Sequence, residues 1–108
     1  MGNKIGKQQC LIMLELALYR NGIEKQYVDK EIFEISKIDK ETNKIIINYY
    51  DHFINDPNMK KYISFFQSLK NEHIIRYNAL FNNEIEPLVN LIKSKISTNV
   101  KEYLALEN

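Results

Sequence analysis

The chain has one cysteine, two prolines, three glycines, two arginines and no tryptophan. Each scarcity excludes something. A single thiol, Cys10, makes neither an internal disulfide nor a CxxC zinc site, and the absence of a disulfide framework suits a reducing cytoplasm. Cys10 leads the most apolar segment and reads as a small buried hydrophobe. With so few glycines there is no phosphate-cradling loop; neither GxGxxG nor GxxxxGK occurs. Thirteen of the fifteen basic residues are Lys, so few guanidinium forks exist for bidentate contacts to phosphate or guanine. Fifteen basic against fourteen acidic residues leave a net charge of +1, too little field to draw in nucleic acid or anionic lipid.

A membrane-length apolar run is also missing. The strongest candidate is CLIMLELALY, residues 10–19, with Glu15 in its middle. Ten helical residues span about 15 Å against about 30 Å of hydrocarbon. No small-residue cleavage site follows, and MGNKIG has Gly6 where a myristoylation signal wants Ser or Thr. The expectation is a core helix with no membrane partner.

What is abundant is Ile, Lys and Asn, 42 of the 108 residues together. These residues have AT-rich codons, which points to an AT-rich bacterium or its phage and not to lysine chemistry. At this length one helical domain, 1–108, can bury a core without staples. The few breakers fall at useful places. Gly22 in RNG predicts a left-handed helix cap. In NDPN, Asp56 predicts an N-cap with Pro57 at the first helical position. In FNNEIEP, Asn83 predicts an N-cap with Glu86 three residues on.

Between these marks an apolar stripe runs Met59, Tyr62, Ile63, Phe66, Leu69, Tyr77, Leu80. A second runs Ile85, Leu88, Val89, Ile92, Ile96, Val100, Tyr103. Both have helical period, and the short link predicts a helical hairpin over 57–107. Residues 42–55 fit a third helix beginning near Thr42. The stretch 32–50 could instead form a β-hairpin, since Ile and Tyr favour strands, although its turn DKETN lacks Gly. The fold class expected is all-α, a bundle of four to five helices, with α+β as the alternative.

Candidate chemistry is thin. His73 falls within the apolar stripe and is expected as a neutral imidazole bonded to a Tyr or a carbonyl. His52 and Asp56 share a face, but two ligands do not make a metal site. No Glu-x-x-His pair of the di-iron kind is present, and no nucleophile elbow. No enzyme activity, cofactor or metal is expected.

LYRNGIEKQYVDK places Leu18, Gly22 and Val28 at helix-turn-helix spacings. That alternative puts Lys25, Gln26, Tyr27 and Lys30 on a DNA-recognition helix. Against it, Glu24, Asp29, Glu31 and Glu34 would face the phosphates. Aromatic usage favours protein binding instead. Seven Tyr and five Phe exceed what the stripes of a simple bundle hide; Tyr49, Tyr50, Phe53, Phe65 and Ile75 are the expected protein interface. The C-terminal YLALE, with Tyr103 and Glu107, resembles the Tyr-x-x-x-Glu signal of small helical type VII secretion substrates. The Trp-x-Gly turn of that family is absent, and no residue role follows. The reading is therefore a cytoplasmic, non-enzymatic module, an adaptor, inhibitor or immunity-type protein, that binds another protein stoichiometrically and forms a homodimer or other homo-oligomer. A DNA-binding regulator is the alternative.

Overall fold

The computed structural model describes residues 6–37, 39–98 and 103. The expected extent of the last helix over 99–107 (residue 103 apart), Glu107 of the secretion-like motif and most of MGNKIG lie outside the described residues. Within them the chain forms five α-helices and no strand: α1 (Lys7–Arg20), α2 (Lys25–Ser36), α3 (Lys40–Ile54), α4 (Ile63–Phe81) and α5 (Ile85–Thr98). A 3₁₀ turn, Pro57–Tyr62, precedes α4. The β-hairpin alternative over 32–50 is overturned, because α2 and α3 occupy that stretch. The turn that lacks Gly is a helix start: Asp39 accepts the Thr42 N–H at 2.7 Å, which makes Asp39 the N-cap and begins α3 at Lys40.

The end of α1 follows the sequence signal. Gly22 is left-handed, with φ of 76°. Its N–H reaches the Tyr19 carbonyl at 3.0 Å, and the Ile23 N–H reaches Leu18 at 3.3 Å. That pair of bonds is a Schellman motif, and its apolar closure is Leu18 against Ile23, both buried.

Two expected caps turn out differently. Asp56 does cap, accepting the Asn58 N–H at 2.9 Å, but it starts a 3₁₀ turn in which Met59 departs from helical geometry (φ −106°, ψ 18°). The α-helix proper therefore begins at Ile63, not near Met59. Asn83 is not an N-cap: it sits at φ 57°, and Glu84 N–H closes back onto the Asn78 carbonyl at 3.0 Å. Asn tolerates the left-handed region that most residues avoid, so here it ends α4 and does not begin α5.

The buried core draws Leu11, Leu14 and Leu18 from α1, Tyr27, Val28 and Ile35 from α2, Ala79 and Leu80 from α4, and Leu88, Val89 and Ile92 from α5. Ile23 and Tyr103 complete it. No apolar residue of α3 is in this set; the buried residue of α3 is Asn43. Helix α3 packs instead along α4, which touches every other helix. Tyr50 meets His73, Asp51 meets Lys70 and Phe53 meets Phe66, so the two helices run antiparallel. The 3₁₀ turn, α3 and the first half of α4 thus form an arm outside the main core. A radius of gyration of 15.0 Å, against about 13 Å for a compact chain of this length, agrees with that extension.

This division predicts unequal costs for truncation. Ile92, fully buried, should lose about 2–5 kcal/mol on replacement by Ala. Phe66, half-buried in the arm, should lose less than Ile92 does. Urea denaturation of both variants checks the order, and equal losses would place the arm inside the core.

Candidate functional site

Two places in the fold combine geometry with chemistry. The first is polar and internal. Glu31 lies on α2 four residues after Tyr27 and four before Ile35, which puts its carboxylate on the buried face. Both of its oxygens are engaged. Arg76 on α4 donates from Nε to Oε1 at 2.5 Å, and the Tyr103 hydroxyl donates to Oε2 at 2.8 Å. The guanidinium also faces Glu72, with Nη1 3.5 Å from Oε1. Lys95 on α5 donates to that same Glu72 oxygen at 2.6 Å. One chain of charges therefore ties α2, α4, α5 and residue 103 together. Burial pushes the Arg76 pKa down, but the Glu31 carboxylate, with Glu72 behind it, outweighs that and the net direction is up.

A cavity of about 510 Å³ opens beside this network. Ile35, Leu69, Tyr77 and Leu80 supply its apolar wall, and Phe65 stands at the exposed edge. Arg76, Lys95, Glu72, His73, Lys30, Glu34 and the buried Asn43 supply its polar side. Nδ1 of His73 lies 3.2 Å from the Tyr50 hydroxyl, the tyrosine contact expected of this stripe histidine. Burial, and then the Arg76 charge, lower its pKa below the ordinary 6.5. Tyr50 is raised, first by burial and then by Glu72. The imidazole is thus held neutral at pH 7, and it has no carboxylate or hydroxyl nucleophile on it beyond Tyr50 among the described residues.

The second place is aromatic and external. Tyr49 packs edge-on against Phe53 (5.4 Å between centroids), Phe53 stacks on Phe66 (4.8 Å, 16° between planes), and Phe66 meets Phe65 edge-on (5.5 Å). These four rings make a ribbon across α3 onto α4 whose ends are open: Tyr49 is 57% exposed and Phe65 58%. Ile45, one turn before Tyr49, is also exposed. The ribbon brings together Tyr49, Phe53 and Phe65 of the expected interface. Tyr50 lines the same external groove beside Ile45, Ile46, Tyr49 and Phe53 while its hydroxyl meets His73, and Ile75 packs against the main core instead. Ile75 is the correction: it lies on a face of α4 turned away from that of Phe65 and toward the main core. A separate exposed stripe, Ile12, Met13, Leu16 and Tyr19, runs along the outer face of α1.

The residues of the DNA-recognition alternative are split apart. Tyr27 and Lys30 are buried, because they share the α2 face of Val28 and Ile35. Gln26 and Lys25 are exposed, and Lys25 is paired with Asp29 at 2.7 Å. Glu31, expected on the phosphate side, is wholly inside. Among the described residues no group of three or more His, Cys, Asp and Glu could hold a metal ion, and no helix is long and apolar enough to cross a membrane. No family model, curated protein or solved structure matches the chain. The all-α bundle with its arm is the class that the fold defines.

Sequence reasoning missed the Glu31–Arg76 pair, though a signal exists. Leu69, Arg76 and Leu80 fall at helical spacing on one face of α4, and Glu31 falls on the apolar face of α2. A charge on each of two apolar faces is a cue that the two meet.

Two consequences are measurable. Replacing Arg76 by Met leaves Glu31 with Tyr103 but no cation, and should cost about 3–5 kcal/mol in chemical denaturation; a loss under 1 kcal/mol would mean the pair is not buried in solution. For His73, the folded form resists protonation while the unfolded chain does not. Its contribution is present above pH 6.5 and is lost as pH falls through the lowered folded pKa. The stability difference between wild type and His73→Gln should therefore shrink as pH drops below 6.5, and a difference that grows would reverse the sign.

Proposed function

We propose that the protein is a stoichiometric, non-catalytic protein-binding module whose docking surface is the aromatic ribbon of α3 and α4. The observation that supports this most is the ribbon's openness: two large aromatic side chains at its ends face solvent although the rings between them are packed. Tyr and Phe are enriched in the centres of protein interfaces, where they bury much area at little entropic cost. The four rings carry no charge, and Asp51 and Lys70 of the same two helices are paired with each other at 2.6 Å. An uncharged aromatic surface does not repel a second copy of itself, so a copy of the chain related by a two-fold axis is the first partner to test. A cytoplasmic adaptor, inhibitor or immunity-type protein of an AT-rich bacterium or phage fits a surface of this kind. The DNA-regulator reading is weakened by the burial of Tyr27 and Lys30.

Tyr49→Asp and Phe65→Asp place a charge on each open end. Both variants should keep the wild-type melting temperature, since neither residue is in the core, and should lose association. Light-scattering mass at high protein concentration reads the result against the 12.8 kDa monomer. A wild type that stays monomeric, or variants that still associate, would take the ribbon out of self-contact.

A further inference from the structure

Among the described residues the charges around the cavity do not balance. Arg76 and Lys95 are each held by carboxylates, Arg76 by Glu31 and Lys95 by Glu72. Glu34, at the cavity's edge, is paired with Lys37 at 3.3 Å. That leaves Lys30. It lines the cavity and is only 5% exposed, yet no carboxylate among the described residues pairs with it. Its ammonium lies over the Tyr103 ring, 4.6 Å from the centroid, a cation–π contact that offsets only part of the lost hydration. Buried lysines are ordinarily paired. Neutral His73 adds no charge of either sign to the cavity at pH 7. Among the described residues one surplus cation therefore lines a cavity whose apolar lining is Ile35, Leu69, Tyr77 and Leu80.

We propose that this cavity is a binding site for a small organic monoanion, a carboxylate carried on an apolar or aromatic body, with Lys30 as the group that recognises the charge. The carboxylate would accept from the Lys30 ammonium, and the apolar body would lie along the Leu69–Leu80 wall. A single surplus charge selects one negative group over a phosphate dianion, and Glu72 and Glu31 would repel a second. The volume, about 510 Å³, falls within the roughly 300–1,000 Å³ of small-molecule sites.

The experiment compares 2-naphthoate with its uncharged isostere 2-naphthamide, by calorimetry on the full chain at pH 7.5. The naphthoate should bind about tenfold or more tightly than the amide. Lys30→Met keeps the aliphatic stem and removes the charge, and it should abolish that preference while the near-ultraviolet dichroism stays native. Should Lys30→Met fail to fold, methyl chemical shifts on the wild type decide: Leu69 and Leu80 should move with naphthoate and hardly with amide. Tyr49→Asp, on the external ribbon, should bind naphthoate as wild type does. Equal binding of the two compounds, a preference that survives in Lys30→Met, or loss of binding in Tyr49→Asp would each overturn the site.

Discussion

A carboxylate taken wholly out of water has to be satisfied by the protein around it, and the way Glu31 is satisfied organises the rest of the molecule. Its two oxygens are met from two directions, by the guanidinium of Arg76 on α4 and by the hydroxyl of Tyr103. Neither contact is local in sequence. Helix α2 can therefore sit against α4 in only one register, because a slide of one turn would strand the carboxylate without its cation, a far larger loss than that of an exposed ion pair. The same guanidinium faces Glu72, which holds Lys95, so α5 is drawn into the same arrangement. The apolar core supplies most of the driving force, but apolar contacts are non-directional; the charges select one packing among several of similar buried area.

That core uses only part of the apolar surface the chain offers. Helix α1 is apolar nearly all round, and the bundle covers Leu11, Leu14 and Leu18 while Ile12, Met13, Leu16 and Tyr19 stay outside. Helix α3 contributes no apolar residue to the buried set and is held instead by the first half of α4, through ring stacking, the Tyr50–His73 contact and the Asp51–Lys70 pair. A helix supported on one side by half-buried rings keeps an open face. The aromatic excess evident from composition is thus not a defect of packing; it is the direct result of building an arm from residues that a larger bundle would have enclosed.

The cavity lies between these two regimes. Ile35 and Leu80 of its apolar wall belong to the main core, Leu69 and Tyr77 lie outside it, and its polar side includes the charge network, with Phe65 of the external ribbon also lining it. Polar and apolar walls meet there because α4 carries Leu69, His73, Arg76 and Leu80 at helical spacing, two apolar and two polar side chains on one face. A face of mixed character cannot be filled by one kind of neighbour. Space is left where α2 and α3 approach it from different sides.

The sequence by itself determined the local features: helical class from the period of the two C-terminal stripes, the end of α1 from Gly22, the capping role of Asp56, and the absence of a membrane-length helix among the described residues. These depend on interactions within a few residues, where backbone hydrogen bonding and side-chain period leave little choice. Asn83 shows where local reasoning stops, because an Asn before a helix can cap it or can end the preceding helix in the left-handed region, and the chain's path decides. Which apolar faces are covered was decided only by tertiary structure. The same is true of Lys30 and Tyr27, polar or amphipathic residues that a recognition helix would display but that α4, α5 and Tyr103 enclose. Glu31 and Arg76 stand 45 residues apart and Glu31 and Tyr103 stand 72 apart. Each looks like a surface charge or a lone aromatic until the helices pack, since helical period places a side chain on a face but does not say what that face will meet.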